Sequence, residues 1–172
     1  WLRPPTRFQP PSSSRGVPLM CRMGLSYSRQ TVAYQRQQIA RLLADHQRTD
    51  RVSKWAYFQE MRNSRIVVSP FGYNEINYKD FETFICGALL LKPDMSHIET
   101  YPDYFRDGET FVSHSWSLDD VTEKVDEVLA NYQRYLPIAR AGQELYRHYV
   151  ASPAGDAEFA DRFAAQMQET LT

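Results

Sequence analysis

The hydrophobic pattern in the middle of the chain changes from a strand rhythm to a helix rhythm and back. Residues 66–68 are a β-branched apolar run closed by the turn residues 69–72, which predicts a buried strand followed by a turn. Apolar residues then recur at helical spacing, which predicts a helix with Asn74 as N-cap and Gly87 as terminator. The apolar run at 88–92 predicts a second strand.

These elements form a strand, a glycine-bearing loop, a helix and a strand within about thirty residues, which is the length of a βαβ unit. Such a unit belongs to a parallel sheet, and its crossover is nearly always right-handed. Because ligands of parallel sheets bind at the carboxyl ends of the strands, we expect a site where the first strand ends.

One edge of the predicted helix carries charged residues. Glu75 and Glu82 are seven positions apart, so they differ by only ~20° around a helix, and Lys79 lies between them. Free backbone N–H groups from Gly72 to Glu75 at the helix start are suited to a phosphate. The pattern fits a site for a polyphosphate and hydroxyl groups, but periodicity alone favours the simpler alternative, a solvated face with a Glu–Lys pair.

The chain before this unit divides into an arm and two helices. Residues 1–24 are rich in proline and serine, which predicts an extended arm. Helical periodicity predicts a helix at 28–46, with its arginines 29, 36 and 41 in solvent, and another at 54–63. We therefore expect an α/β domain over residues 25–152.

The chain after this unit is predominantly helical. The sequence predicts a loop with a short helical turn at 96–104, a turn at Asp107-Gly108, a third strand at 110–112 and a helix capped by Ser117 with Asp120 in the capping-box position. Further helices are expected at 132–149 and 157–171, the latter within a separate C-terminal segment, 153–172. Three strands suggest a small, incomplete parallel sheet with a helix-rich C-terminus.

Charge is distributed unevenly along the 172 residues, although the formal net charge is only −1. Residues 1–65 contain twelve Lys and Arg against three Asp and Glu, whereas the remainder contains eight against eighteen. A basic half suits anions, but opposite charges within one fold commonly pair. The arginines match no nucleic-acid-binding motif, so nucleic acid is a weaker hypothesis.

Several other classes of protein do not fit the sequence. No apolar run approaches the ~20 residues of a transmembrane helix, and the first residues do not resemble a signal peptide. Cys21 and Cys86 have no disulfide-type spacing, which suggests a reducing, cytoplasmic location. Ligand-type residues at 94–103 match no metal pattern, so we expect no metal and no cofactor. Nucleophile-elbow, P-loop and dinucleotide-binding motifs are absent, and no catalytic residue is assigned.

The order of motifs from about residue 54 to 150 resembles the donor-binding half of GT-B glycosyltransferases, most closely the spore-coat-type, family 1-like group. The resemblance rests on Phe81-Glu82-Thr83-Phe84-Ile85-Cys86-Gly87-Ala88-Leu89-Leu90, on Arg106-Asp107-Gly108-Glu109-Thr110-Phe111-Val112, and on the helical run that begins at Leu118. Lys79 stands three residues before the glutamate, where relatives usually have arginine. The implied fold is the Rossmann-like half of a GT-B enzyme.

The resemblance also implies a site for a nucleotide diphosphate sugar as donor substrate. It assigns Glu82 to the ribose hydroxyls, Lys79 to a phosphate and Glu75 to the sugar. The backbone of Gly72, Tyr73 and Asn74 would contact the diphosphate. A full GT-B enzyme also has an N-terminal acceptor domain, so the resemblance implies that this chain needs such a domain or a partner chain. The alternative is a non-catalytic interaction domain with a relic donor site.

Overall fold

The structure, a computed structural model, describes residues 7–45 and 50–170, which form one parallel sheet and six helices. The sheet has the strand order β1-β2-β3-β4, and every neighbouring pair is parallel. In chain order the elements are β1 (Val17–Met20), α1 (Gln30–Leu42), α2 (Lys54–Asn63), β2 (Ser64–Val68), α3 (Tyr78–Cys86), β3 (Leu89–Pro93), β4 (Val112–His114), α4 (Val121–Ala130), α5 (Tyr132–Ala151) and α6 (Pro153–Thr170). The predicted α/β class with a small parallel sheet is confirmed.

The sheet is covered on both faces, which explains its continuous apolar strands. Alternate side chains of β2 point to opposite faces: Ile66 and Val68 pack with Ile39 of α1, whereas Val67 packs with Met61 of α2. The α1 face also includes Val125 of α4. Since β2 is a central strand, its carboxyl end opens at the middle of the sheet edge, between the two helical layers.

The predicted arm contains a strand that the sequence analysis missed. Within residues 1–24, Val17–Met20 forms β1, which pairs with β2 in the register Leu19↔Ile66. Pro18 obscured this strand, but proline is tolerated at a sheet edge, and β1 is the edge strand. The buried Arg15 side chain also fixes the segment, because it donates to the carbonyls of Ser64 (3.1 Å) and Cys86 (2.7 Å). Residues 1–6 of the predicted arm lie outside the described residues.

Helix α3 begins later than predicted, and this changes the geometry of the candidate site. Asn77, not Asn74, is the N-cap, and it forms a capping box with Asp80. Asp80 is the decisive residue because its carboxylate accepts from the backbone N–H of Asn77 at 2.9 Å. The predicted end is correct, since Gly87 adopts a left-handed conformation with φ 67°.

Helix α4 also begins later than predicted. The Asp120 carboxylate accepts from the backbone N–H and the hydroxyl of Ser115, each at 2.8 Å, and this fixes a loop ahead of the helix. Ser117 therefore lies in that loop, where its hydroxyl pairs with that of Ser115, and it does not cap the helix.

The remaining boundaries differ from the predictions by a few residues. The segment 96–104 contains a hydrogen-bonded turn, in which the Ile98 N–H donates to the Met95 carbonyl at 3.1 Å. Strand β4 begins where the predicted strand at 110–112 was expected to end. Helix α6 starts at Pro153 and stays exposed along most of its length. His46 and Leu171, which ended two predicted helices, lie outside the described residues.

Candidate functional site

The segment that joins β2 to α3, residues 69–77, is named here the β2–α3 loop. It follows the carboxyl end of β2, where a parallel sheet binds its ligands. The N–H of Gly72 donates to the carbonyl of Asn74 at 3.1 Å. Among the described residues, the backbone N–H groups of Tyr73, Asn74 and Glu75 have no hydrogen-bond partner. The loop therefore presents three consecutive backbone donors, and such donors are suited to an anion.

A buried ion pair between Asp80 and Lys92 stabilises the β2–α3 loop. Asp80 and Lys92 are fully buried, and their carboxylate and ammonium groups are 3.1 Å apart. Asp80 also accepts from the Ser69 hydroxyl at 2.5 Å, while Lys92 donates to the Glu75 carbonyl. Burial lowers the pKa of Lys92 and raises that of Asp80, and the opposite charge of the partner counteracts each shift. The pair therefore ties both ends of the loop to β3.

Lys79 lies where β1 and β2 end. Its ammonium group donates to the carbonyls of Arg22 (2.5 Å) and Val68 (3.5 Å), and its side chain is half-buried. Burial lowers the pKa of Lys79 to about 8. A cation with this pKa titrates close to neutral pH, so its charge responds to any anion that binds nearby.

Helix α1 holds the loop from the other side. Arg36 is buried and donates to the Phe71 carbonyl at 2.9 Å, while its guanidinium lies over the Tyr27 ring, 4.6 Å from the centroid. Arg29 donates to the Tyr73 carbonyl at 3.0 Å, and its guanidinium lies 5.3 Å from the centroid of the Tyr73 ring. The prediction that these arginines are solvated is wrong for Arg36, because the loop carbonyls satisfy its guanidinium.

Glu82 occupies a different position from Glu75. It lies on the flank of α3 that faces α2, half-buried, and accepts a hydrogen bond from the Tyr57 hydroxyl at 3.1 Å. Burial raises the pKa of Glu82, and the Tyr57 hydrogen bond and the Lys79 charge act in the opposite direction. Lys79 and Glu82 are three residues apart on α3, so their side chains lie on neighbouring positions of the helix surface.

The structure brings together only part of the predicted set. Gly72, Tyr73, Asn74 and Glu75 share the β2–α3 loop, and Lys79 is the second residue of α3. The prediction that Glu75 and Glu82 share one helix face is wrong, because Glu75 precedes the Asn77 cap and lies outside the helix. The free amides consequently belong to a loop and not to a helix N-terminus.

Four residues that shape the site were missed as site residues in the sequence analysis, namely Gln35, Arg36, Asp80 and Lys92. Two signals point to them in retrospect. Asn77 and Asp80 have the spacing of a capping box, and Lys92 is a charged residue in an otherwise apolar strand. Gln35 and Arg36 have no such signal, since only the tertiary fold brings α1 to the loop.

Over residues 7–45 and 50–170, no group of three or more His, Cys, Asp or Glu side chains is arranged to hold a metal ion. Across the same ranges, none of the helices combines the length and apolarity needed to cross a bilayer.

Comparison with known proteins identifies a family and a similar solved structure. A family profile described as "Glycosyl transferase-like" matches residues 21–154. The crystal structure of Anabaena Alr3699/HepE in complex with UDP-glucose is similar, with a TM-score of 0.53 and 12% sequence identity, over 81% of this chain and 38% of the other. At this identity the likeness shows the fold alone, and this chain spans well under half of that protein's length. No curated protein sequence matches the chain.

Proposed function

The chain belongs to the glycosyl transferase-like family, as its motifs suggested, and we propose that it binds a nucleotide diphosphate sugar for glycosyl transfer. The observation that carries the proposal lies at the carboxyl end of the central strand β2. There the β2–α3 loop has three backbone N–H groups with no partner among the described residues, and the ammonium group of Lys79 contacts the Val68 carbonyl. HepE, whose fold is similar, was crystallised with UDP-glucose, which makes a nucleotide sugar the first ligand to test.

The proposed chemistry follows from the charge of the leaving group. Departure of a nucleoside diphosphate develops negative charge on its phosphates. Fixed N–H groups of Tyr73, Asn74 and Glu75 are suited to stabilise that charge, together with the ammonium group of Lys79. Gly72 has no side chain, so the nucleotide can approach the backbone closely at this point. In this proposal the nucleotide sugar is the donor substrate and no further cofactor takes part.

The two glutamates have separate roles in the proposal. Glu82 binds the ribose hydroxyls, for which an ionised carboxylate is a strong acceptor. Its hydrogen bond with Tyr57 holds the carboxylate in one orientation before the donor arrives. Glu75 is assigned to the transferred sugar because its backbone is fixed by Lys92 while its side chain stays half-exposed.

The proposed reaction also needs groups that contact an acceptor. The comparison with HepE covers 38% of that protein, so we propose that a further domain or a partner chain completes the enzyme. Under this proposal the chain binds donor by itself but transfers sugar only with its partner domain.

Calorimetric titration with UDP, GDP and UDP-glucose tests the donor site. We expect UDP or GDP to bind the unmodified chain, and Glu82→Ala to abolish that binding. Tyr57→Phe is the matched control, because it removes the same hydrogen bond and leaves the carboxylate in place; it should retain most of the affinity. Glu144→Ala, an exposed glutamate on α5, should bind as the unmodified chain does.

The alternative is a non-catalytic interaction domain that has kept the fold. One observation favours it: the N–H of Gly72 and the ammonium of Lys79 already have partners within the chain. If neither nucleotide nor UDP-glucose binds the unmodified chain, the donor-site proposal is wrong and the inert domain is favoured.

A further inference from the structure

A concavity lies on the face of the sheet that α1 covers, and it is named here the α1–α4 groove. It has a volume of about 980 Å³, within the range of small-molecule sites. One wall is α1 and the other is the loop between β4 and α4. The lining residues are Gln30, Thr31, Tyr34, Gln35, Gln38, Leu42, Trp116, Ser117, Leu118, Asp119 and Thr122.

The groove has mixed polar and apolar walls and is almost uncharged. Asp119 is its single charged lining residue, and neither lysine nor arginine lines it. Amides of Gln30 and Gln38 and hydroxyls of Thr31 and Thr122 line the walls, and no hydrogen bond joins these side chains to another described residue. A neutral ligand with many hydroxyl groups fits such walls, whereas a free nucleotide or another polyanion finds no cation and meets a carboxylate.

Trp116 supplies a rigid aromatic surface in the groove. Its indole N–H donates to the Asp94 carbonyl at 2.9 Å, and its ring makes edge contacts with Phe71 and His97 at centroid distances of 5.4 and 4.7 Å. It is nevertheless 54% exposed. A large aromatic ring that is fixed and exposed offers an apolar contact area at low entropic cost, which suits the apolar C–H face of a pyranose ring.

The backbone beside Trp116 is held in an unusual conformation. Leu118 has φ 68°, a left-handed value that is uncommon for a residue other than glycine. Asp120 and Ser115 hold this loop closed through two hydrogen bonds of 2.8 Å. Backbone strain of this kind persists where the surrounding structure enforces it.

The groove is connected to the β2–α3 loop through Gln35. The Gln35 side-chain oxygen accepts from the Phe71 N–H at 3.1 Å, and Phe71 also contacts Trp116. The groove and the proposed donor loop are therefore adjacent along one edge of the sheet.

From this composition and placement we propose that the α1–α4 groove binds a neutral saccharide chain without its nucleotide, by stacking on Trp116 and hydrogen bonding to the glutamines. The binding itself is independent of the donor site. The saccharide's role as acceptor rests on the proposed function.

Tryptophan fluorescence offers a direct test, because the chain has three tryptophans and one of them lines the groove. In the full chain with Trp1→Phe and Trp55→Phe, Trp116 is the sole indole. We expect its emission to shift during titration with cellobiose, maltose or N,N′-diacetylchitobiose. Saturation-transfer NMR on the unmodified chain measures the same binding without changing a tryptophan.

Matched variants separate the groove from other surfaces. Trp116→Ala and Gln38→Ala should each weaken saccharide binding by about tenfold or more. Trp55→Ala, which removes an indole 74% exposed on α2, should not change it. UDP binding should be unaffected by all three variants, so a failed donor site and a failed groove give different results. The proposal is overturned if none of the three saccharides binds, if only UDP-glucose binds, or if binding survives in Trp116→Ala.

Discussion

Two neighbouring parts of one sheet edge differ in charge and in how far their polar groups are satisfied. The β2–α3 loop is surrounded by cations, and its carbonyls accept from Arg29, Arg36 and Lys92. The α1–α4 groove has no cationic lining residue, and its amides and hydroxyls have few partners. The loop is built on a buried ion pair, whereas the groove is built on exposed side chains of one helix and one strained turn.

Because of this difference, the loop and the groove are suited to different kinds of ligand. A loop with three backbone N–H groups that have no partner among the described residues is suited to phosphate charge, and so is the ammonium group of Lys79 at the end of β2. A neutral groove with a fixed indole is suited to hydroxyls and C–H surfaces. The two parts meet at Phe71, which contacts Gln35 and Arg36 through its backbone and Trp116 through its ring.

The largest expected effect comes from breaking the support of the loop. Lys92→Met leaves the buried Asp80 carboxylate without its counter-charge, so the free energy of unfolding should fall by about 3–5 kcal/mol. Urea denaturation measures this loss. Gln38→Ala in the groove is the control and should stay within about 0.5 kcal/mol, since its side chain is not in the core. A loss below about 1 kcal/mol in Lys92→Met, close to that of an ordinary surface substitution, would show that the ion pair does not support the fold.

The next effect concerns the cation at the loop. Lys79→Met should weaken UDP binding by at least about tenfold, or about 1.4 kcal/mol, because a charge-assisted contact to phosphate is lost. Calorimetry measures the affinity. Lys124→Met, a half-buried lysine on α4, is the control and should bind UDP normally. Equal affinities in the Lys79 and Lys124 variants would remove Lys79 from the site.

A smaller effect is expected from pH. Because burial lowers the pKa of Lys79 to about 8, the charged form that binds phosphate is lost as the pH rises through that value. UDP affinity should therefore fall between about pH 7 and pH 9, by at most about tenfold per unit. Lys79→Arg keeps its charge throughout and should abolish this dependence. The nucleotide's own titrations are common to both proteins, so a persistent decline in the arginine variant contradicts the assignment.

The smallest effect is expected for a substitution in the groove, which should leave UDP binding almost unchanged. Trp116→Ala alters the groove but not the amides or Lys79, so its affinity for UDP should remain within about twofold of the unmodified chain, or ~0.4 kcal/mol. Calorimetry under the same conditions measures it. A large loss would mean that the loop and the groove form one site through Phe71, and the comparison between them would no longer hold.

The sequence predicted the elements whose formation is local. The helix at 54–63 and the Gly87 terminator agree with the structure, because N-caps, glycine and apolar periodicity act within a few residues. The parallel pairing of β2 and β3 also follows from the short helical crossover. The predicted N-cap of α3 was wrong because Asn74 and Asn77 both suit the position. The capping-box spacing of Asn77 and Asp80, which distinguishes them, was missed.

Contacts between residues that are far apart in the sequence could not be predicted from local patterns. β1 contains Pro18, and it is stabilised by residues 64–67 and by Arg15, whose partners are far along the chain. Arg36 and Gln35 reach the loop across 35 and 36 positions, so nothing local marks them as site residues. Glu82 could be chosen from a motif, but its hydrogen bond with Tyr57 depends on how α2 packs against α3.

Chemical-shift mapping of the isotope-labelled chain during titration with UDP tests the central claim most directly. The account predicts that the largest shifts occur at the amides of Tyr73, Asn74 and Glu75 and along the first turns of α3, with little change at 116–119. Saturable shifts located elsewhere, or no shifts at all, would contradict a nucleotide-sugar site at the carboxyl end of β2.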